Sequence, residues 1–123
     1  MSKPPFTVSK LLTNSDISTK PALPTEIHQH IPIPQGTHFV DLKVTDSREQ
    51  VCTLRYYTRP SGNRANPVFT VGWLQFVRAK CLEAGDKLTI YGRQDGECQI
   101  QVTRTSNVTY QGEPVYLDVE NFL

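Results

Sequence analysis

Two polar stretches of this 123-residue chain carry the side chains best suited to binding chemistry. The first polar loop, residues 13–21, and the second polar loop, residues 58–66, combine hydroxyl or amide groups with cations. Short hydroxyl and amide side chains beside a cation bind phosphate oxygens well. The second polar loop adds arginines, whose forked donors match guanine, and asparagines, which match adenine. From the residue types alone, each stretch is either a solvated loop that is merely polar or a surface that contacts a nucleic acid.

Motifs of the common enzyme classes are missing from the sequence. It has no phosphate-binding glycine loop, no nucleophile elbow, no metalloprotease helix motif and no dinucleotide fingerprint. The carboxylates are dispersed among predicted turns, where solvation explains them. Asp16 and Asp86 are predicted to cap turns rather than to act as catalysts. We therefore expect neither enzymatic activity nor a cofactor.

The histidines and cysteines do not form a metal-binding pattern. His28 and His30 are two residues apart and point to different sides, unlike the i, i+4 pair of a helical metal site. Cys52, Cys81 and Cys98 are scattered and form no CxxC pair. We expect the cysteines to be small buried hydrophobic residues, and we predict neither a metal site nor a disulfide.

Length and composition predict one soluble globular domain, since 37% of the residues are hydrophobic and 20% are charged. No apolar run approaches the roughly 20 residues of a membrane span. The N-terminus lacks the apolar segment of a signal peptide, so we expect an intracellular protein without a membrane partner. The net charge of +1 argues against nucleic-acid binding by bulk electrostatics. Residues 1–66 carry eight Lys/Arg against five Asp/Glu, so a basic surface would be local to the first half.

A strand, an amphipathic helix and a second strand form the centre of the chain. Trp73, Phe76 and Val77 fall at i, i+3 and i+4, which places them on one helix face. Arg78 and Lys80 are predicted on other sides, near the helix end, where cations suit the helix dipole. We expect this single helix to close one end of a sheet.

Alternating hydrophobicity predicts seven short strands. They cover residues 6–12, 37–45, 51–57, 68–71, 87–91, 98–103 and 115–119. Residues 13–22 are polar and aperiodic and are predicted as a loop. Residues 23–31 are predicted as a short helix, because Pro24 suits a first turn and Pro32 prevents continuation. Seven strands and two short helices predict a mainly β fold, a closed or nearly closed barrel.

Three motifs resemble the plant B3 DNA-binding superfamily, best known from auxin response factors and reproductive meristem type transcription factors. They occur in the family's order and cover about residues 6–104. The motifs are Gly72-Trp73 with Phe76-Val77, Leu82 and Gly85-Asp86; the opening Lys10-Leu11-Leu12-Thr13-Asn14-Ser15-Asp16; and Leu54-Arg55-Tyr56. The resemblance implies a seven-stranded open β-barrel (pseudobarrel) with two short helices.

The resemblance also implies that the two polar loops are arms that grip the major groove of double-stranded DNA. The residues implied in the first arm are Ser18, Thr19 and Lys20, and those in the second are Arg59, Ser61, Asn63, Arg64 and Asn66. Arg59, Asn63, Arg64 and Asn66 are the base-reading candidates. Lys10, Thr13 and Arg55 would lie near the DNA backbone in a positioning role. The implied function is that of a sequence-specific, non-catalytic transcription regulator in the nucleus.

Other functions are compatible with the same fold class. One is a protein-interaction module with weak or no DNA binding. Another is the DNA-recognition domain of a restriction enzyme, although the sequence has no nuclease motif. Residues 1–5 are predicted to be a flexible tail and residues 6–104 the DNA-binding domain. Residues 105–123 form a C-terminal extension that packs on the barrel or, alternatively, binds a protein partner or a second copy.

Overall fold

Seven strands dominate the regular structure of the protein. A computed structural model describes residues 6–31, 33, 36–58, 66–92 and 97–119. The strands are β1 Phe6–Leu11, β2 Phe39–Thr45, β3 Val51–Tyr57, β4 Val68–Phe69, β5 Lys87–Gly92, β6 Cys98–Tyr110 and β7 Glu113–Asp118. The α-helices are α1 Asn14–Ser18 and α2 Trp73–Lys80, and a 3₁₀ helix spans Thr25–Gln29.

All seven strands belong to one sheet. The strand order is β1-β5-β6-β2-β3-β4, and β7 pairs with β6. Neighbouring strands are antiparallel except β2 and β6, which are parallel where Val44 and Thr45 meet Cys98 and Gln99. The sheet curls into an open barrel, so the prediction of a mainly β, seven-stranded pseudobarrel with two short helices is confirmed.

The core follows from the alternation of side chains along the central strands. Ile90 of β5 lies opposite Val8 of β1 on one side and Ile100 of β6 on the other. All three are at most 3% exposed. Burial of a side chain of this size stabilises the fold by about 1.5–3 kcal/mol. Such rows of apolar residues hold β1, and with it the start of the first polar loop, against the sheet.

Helix α2 contributes the largest buried side chain of the protein. Trp73 is fully buried and its ring centroid lies 5.9 Å from Phe69 and 5.8 Å from Phe76. Gly72 precedes the helix with φ +93, and a Cβ there would collide with the backbone carbonyl of Thr53. The apolar helix face predicted from the spacing is confirmed, and a glycine is required where the chain enters it.

Two local predictions were wrong in their type of structure. Residues 13–22, predicted as a loop, contain α1. The helix predicted over residues 23–31 is a shorter 3₁₀ helix, although Leu23, Ile27 and Ile31 are buried as that prediction required. A helix of five residues needs no apolar stripe, so periodicity gave no signal for α1.

The predicted environments of Lys80 and Cys81 were also wrong. Lys80 is only 8% exposed, and its Nζ lies 2.6 Å from Oδ2 of Asp46. Cys81 is exposed and follows α2 with φ +53, whereas Cys98 is buried and Cys52 half-buried. Within the described part of the chain the three cysteines form no disulfide.

Strand β6 continues beyond the predicted end of the DNA-binding domain at residue 104. It pairs with β7 as far as Tyr110 opposite Glu113, and the register shifts between Thr105 and Thr109. Val119 is 2% exposed and belongs to the hydrophobic core. The limits predicted for the domain and its extension stay predictions, and the predicted tail, residues 1–5, lies outside the described residues.

Candidate nucleic-acid interface

The first polar loop begins with a capping box. The hydroxyl of Thr13 accepts a hydrogen bond from the Asp16 amide at 3.1 Å, and the Thr13 amide donates to Oδ2 of Asp16 at 2.9 Å. Together these bonds satisfy two backbone donors at the start of α1. The five-residue helix therefore depends on the Thr13–Asp16 pair rather than on intrinsic helix propensity.

The Asp16 carboxylate joins the two ends of the first polar loop. It is 4% exposed and forms an ion pair with Lys10 Nζ at 2.8 Å. Its Oδ1 accepts from the Ala22 amide at 3.4 Å, and Lys10 Nζ also donates to the Ala22 carbonyl at 2.7 Å. Burial raises the pKa of Asp16, but the hydrogen bonds from Lys10 and the Thr13 amide outweigh it and hold the pKa below its ordinary value. The carboxylate is therefore a permanent anion at neutral pH.

Helix α2 also holds the first polar loop in place. The indole Nε1 of Trp73 donates to the backbone carbonyl of Asp16 at 2.8 Å, across 57 residues of sequence. Both groups are buried, so breaking this bond would leave the indole N–H and the carbonyl without a hydrogen-bond partner, either protein or water. The first polar loop is thus attached to the core at its helix as well as at its ends.

The end of the first polar loop pairs with the end of the second. The Leu23 amide donates to the Pro67 carbonyl at 2.7 Å, and Asn66 Nδ2 donates to the Leu23 carbonyl at 2.7 Å. Ala22 and Val68 form an antiparallel bridge beside them. The described C-terminal ends of the two polar loops therefore lie side by side, and we call this place the shared root.

The polar side chains at the C-terminal end of α1 are exposed, as predicted, but their hydroxyl donors are used within the helix. Ser18 Oγ donates to the Asn14 carbonyl at 2.8 Å, and Thr19 Oγ1 donates to the Ser15 carbonyl at 2.7 Å. A phosphate bound by these hydroxyls would have to replace those bonds. Lys20 is exposed and has no ion pair among the interactions of the described residues.

Arg55 lies on β3 with its charge already paired. Its Nε donates to Asp41 Oδ1 at 2.9 Å and its Nη2 to Asp41 Oδ2 at 3.3 Å, while the guanidinium lies 4.1 Å from the centroid of the Phe39 ring. The hydrogen bond from Arg55 lowers the pKa of Asp41. The contact stiffens the arginine, but the nearby carboxylate competes with a phosphate.

Four of the predicted residues of the second polar loop, Arg59, Ser61, Asn63 and Arg64, lie outside the described residues. Three of the other seven lie at the shared root: Lys10, Thr13 and Asn66. Three are exposed on the first polar loop: Ser18, Thr19 and Lys20. The seventh, Arg55, is paired with Asp41. Sequence reasoning missed Asp16 and Trp73 as parts of this site. The Thr13-x-x-Asp16 spacing was the available signal for the first.

Asp86, the second carboxylate predicted to cap a turn, does so. Its Oδ2 accepts from the Glu83 amide at 2.8 Å, and Arg104 forms two hydrogen bonds to the carboxylate at 2.8 and 2.9 Å. Among the described residues, no three His, Cys, Asp or Glu side chains lie close enough together to hold a metal ion. In the same part of the chain no helix combines the length and the hydrophobicity needed to span a bilayer.

The family model of the B3 DNA-binding domain matches residues 8–106. The chain belongs to the B3 DNA-binding domain family. This is a family of DNA-binding domains and not of enzymes. The match begins in β1 and ends in β6, so it includes both polar loops and α2 of this B3 domain.

Solved structures share the fold of this B3 domain. An Arabidopsis FUS3–DNA complex is 26% identical with a TM-score of 0.69, covering 80% of this chain and 96% of that chain. The Arabidopsis thaliana transcription factor LEC2–DNA complex is 21% identical with a TM-score of 0.69, covering 81% and 95%. A hypothetical Arabidopsis thaliana protein is 19% identical with a TM-score of 0.66, covering 89% and 99%. A search of curated proteins found no significant match.

Proposed function

We propose that this B3 domain binds double-stranded DNA sequence-specifically, with its two polar loops in the major groove, and regulates transcription in the nucleus. The observation that carries the proposal is the shared root, where Ala22 bridges Val68 and Leu23 pairs with Pro67 and Asn66. The described C-terminal ends of the two polar loops lie side by side, as a grip on one groove requires. The DNA complexes of FUS3 and LEC2, which share the fold, support the same function.

The proposed contacts divide into two groups. Phosphate and sugar contacts come from the exposed end of the first polar loop and from β3, and base contacts come from the second polar loop. The first group is Ser18, Thr19, Lys20 and Arg55; the second is Arg59, Ser61, Asn63, Arg64 and Asn66. Lys10 and Thr13 belong to the same surface through their place at the root. Membership of the auxin response factor or reproductive meristem type is part of the proposal.

The test is selection from a randomised duplex pool at low and at physiological salt. We expect enrichment of one short motif, because arginine and asparagine contacts discriminate bases by about 1–3 kcal/mol each. The variant Arg59→Ala/Arg64→Ala should lose the enrichment while it keeps the circular dichroism spectrum of the folded protein. The matched control is Arg78→Ala/Lys87→Ala, which removes two exposed cations outside both loops and should keep the motif. Failure of the unmodified protein to enrich any motif would refute sequence-specific binding.

A protein-interaction module with weak or no DNA binding is the second candidate. The observation in its favour is electrostatic: the net charge is +1, and Lys10 and Arg55 are each paired with a carboxylate. Each neutralised phosphate contributes about −0.9 to the salt slope, so cations that stay paired with carboxylates make the slope shallower. A discrete oligomer in light scattering, together with no enriched motif, would favour this candidate and a protein contact through residues 105–123.

A further inference from the structure

We infer that Lys10, Asp16 and Asn66 are positioning residues that hold the two polar loops at a fixed separation, and that none of the three contacts DNA. The inference rests on the proposed function, because a fixed separation matters only if both loops enter one groove. It changes the role expected of Lys10 from a phosphate contact to an internal tie. It also changes the role expected of Asn66 from base reading to joining the loops.

Lys10 is bound on both sides of its ammonium group. Nζ lies 2.8 Å from Oδ2 of Asp16 and 2.7 Å from the Ala22 carbonyl, and the side chain is only 19% exposed. These two acceptors lie at the beginning and the end of the first polar loop. A phosphate would have to remove Lys10 from a carboxylate that is 5% exposed, which would leave that anion buried without its cation. The geometry thus favours closure of the loop over contact with DNA.

Asp16 is the residue at which the contacts of several segments meet. Its carboxylate binds the Thr13 amide, the Ala22 amide and Lys10, and its backbone carbonyl accepts from Trp73 Nε1. Side chain and main chain of one residue therefore connect β1, the end of the loop and α2. Because Asp16 lies within α1, a small movement of Asp16 would also move the exposed residues at the end of that helix.

Asn66 extends the tie to the second polar loop. Its Nδ2 donates to the Leu23 carbonyl at 2.7 Å, next to the bond from the Leu23 amide to the Pro67 carbonyl. One of the two Nδ2 hydrogens is used in this way, which fixes the orientation of the Asn66 side chain toward Leu23. The chain from Lys10 through Asp16 and Ala22 to Leu23 and Asn66 is continuous, so a change at either end alters the spacing of both loops.

The first experiment compares Lys10→Met with the matched control Lys20→Met, using the duplex selected with the unmodified protein. Each variant removes one cation, Lys10 near the end of β1 and Lys20 within the first polar loop. For Lys10→Met we expect the Kd to rise about tenfold with no change in the salt slope, because a tie and not a phosphate contact is lost. For Lys20→Met we expect the slope to become shallower by about 0.9. A change of about 0.9 in the slope for Lys10→Met would overturn the inference.

The second experiment needs no DNA. The chain contains one tryptophan, so the indole N–H signal in a nitrogen–proton NMR spectrum belongs to Trp73. Because that donor is buried and bonded to Asp16, its hydrogen exchange should be slow in the unmodified protein. Exchange should accelerate about tenfold in Lys10→Met and in Asp16→Asn, since loss of a charged hydrogen bond loosens the local structure. Exchange should stay unchanged in Lys20→Met, and unchanged exchange in Lys10→Met would contradict the inference.

Asn66→Ala separates positioning from base reading. A positioning residue weakens binding to every sequence alike, whereas a base-reading residue relaxes the preference at one position. We expect the selected motif to stay the same and the Kd to rise for all duplexes. Relaxed specificity at a single position would overturn the assignment of Asn66. If the unmodified protein binds no duplex, the proposed function fails, whereas normal binding with the contrary variant results refutes only this inference.

Discussion

The buried ion pair between Lys80 and Asp46 gives the sharpest stability prediction. The two groups lie 2.6 Å apart, and their side chains are 10% and 8% exposed. Asp46 also accepts from the amides of Arg48 and Gln50 at 2.9 Å each. The substitution Lys80→Met keeps the length of the apolar stem but leaves the carboxylate buried without its cation. Removal of one member of such a pair is expected to cost far more than loss of a surface contact.

The expected loss for Lys80→Met is about 3 kcal/mol, at the lower end of the range for buried pairs, because both groups keep some contact with water. A domain of this size has about 5–15 kcal/mol of total stability, so the midpoint of thermal unfolding should fall by about 10 °C. Urea unfolding followed by the fluorescence of the single tryptophan measures the change. The exposed Lys43→Met on β2 is the matched control and should change stability by less than about 0.5 kcal/mol.

A double-mutant cycle decides whether the pair itself is responsible. Asp46→Asn alone should also cost about 3 kcal/mol, and the double variant should cost about 3–4 kcal/mol rather than the sum, because both changes remove one interaction. Additive losses, or a loss below about 1 kcal/mol for Lys80→Met, would refute the argument. Either result would show that the pair behaves like a solvated surface contact.

The same carboxylate predicts an acid dependence. Burial raises the pKa of Asp46, but hydrogen bonds from Lys80 and the backbone outweigh it and hold the pKa below the ordinary 3.8. A lowered folded pKa stabilises the protein above the unfolded value, and that stabilisation is lost as the pH falls from 3.8 through the folded pKa. The destabilisation by Asp46→Asn should therefore be constant above about pH 5 and shrink in more acidic solution. An undiminished difference between the two proteins at low pH would contradict this assignment.

Three further substitutions test single features. Tyr56→Phe removes a buried hydroxyl that has no hydrogen bond among the described residues. The free energy of unfolding in urea should therefore be unchanged or higher by up to about 1 kcal/mol. A clear loss of stability would show that the hydroxyl has a partner. Gly72→Ala places a Cβ against a backbone carbonyl at φ +93 and should lower the free energy of unfolding by at least about 2 kcal/mol. Gly85→Ala, at φ +96 in open space, should lower it by about 1 kcal/mol. Equal losses would show that the close contact at Gly72 is unimportant. Asp41→Asn should raise affinity for the selected duplex and steepen the salt slope by up to about 0.9, because it releases the charge of Arg55, and an unchanged slope would place Arg55 away from the phosphates.

The sequence predicted those parts of the fold that depend on local spacing. Trp73 and Phe76 occupy the predicted apolar face, and the alternation over residues 87–91 identified a strand. The burial of Lys80 was not predicted, because its partner Asp46 lies 34 residues away in the sequence. The pattern of the helix alone cannot show that a lysine at its end pairs with a buried carboxylate. Long-range pairing of charges is decided by the tertiary structure.

Residue types suggested the candidate site, but they could not show how its members connect. Ser18, Thr19 and Lys20 are exposed, while their contact with DNA stays a prediction. The bond from Trp73 to the Asp16 carbonyl could not be predicted, because a tryptophan on an apolar helix face gives no sign of the acceptor its indole will meet. The pairing of Arg55 with Asp41 likewise follows from the register of β2 and β3, which neither strand specifies alone.

The position of β1 in the sheet governs the order in which the protein is completed. Its neighbour is β5, and the hydroxyls of Ser9 and Thr89 meet across 80 residues of sequence. Strand β1 must therefore wait for a strand that is synthesised about 80 residues later, since pairing between distant segments requires the closure of a long loop. During synthesis, both polar loops are made before β5, the partner of β1. The surface proposed to bind DNA is consequently completed only after β5 has been synthesised.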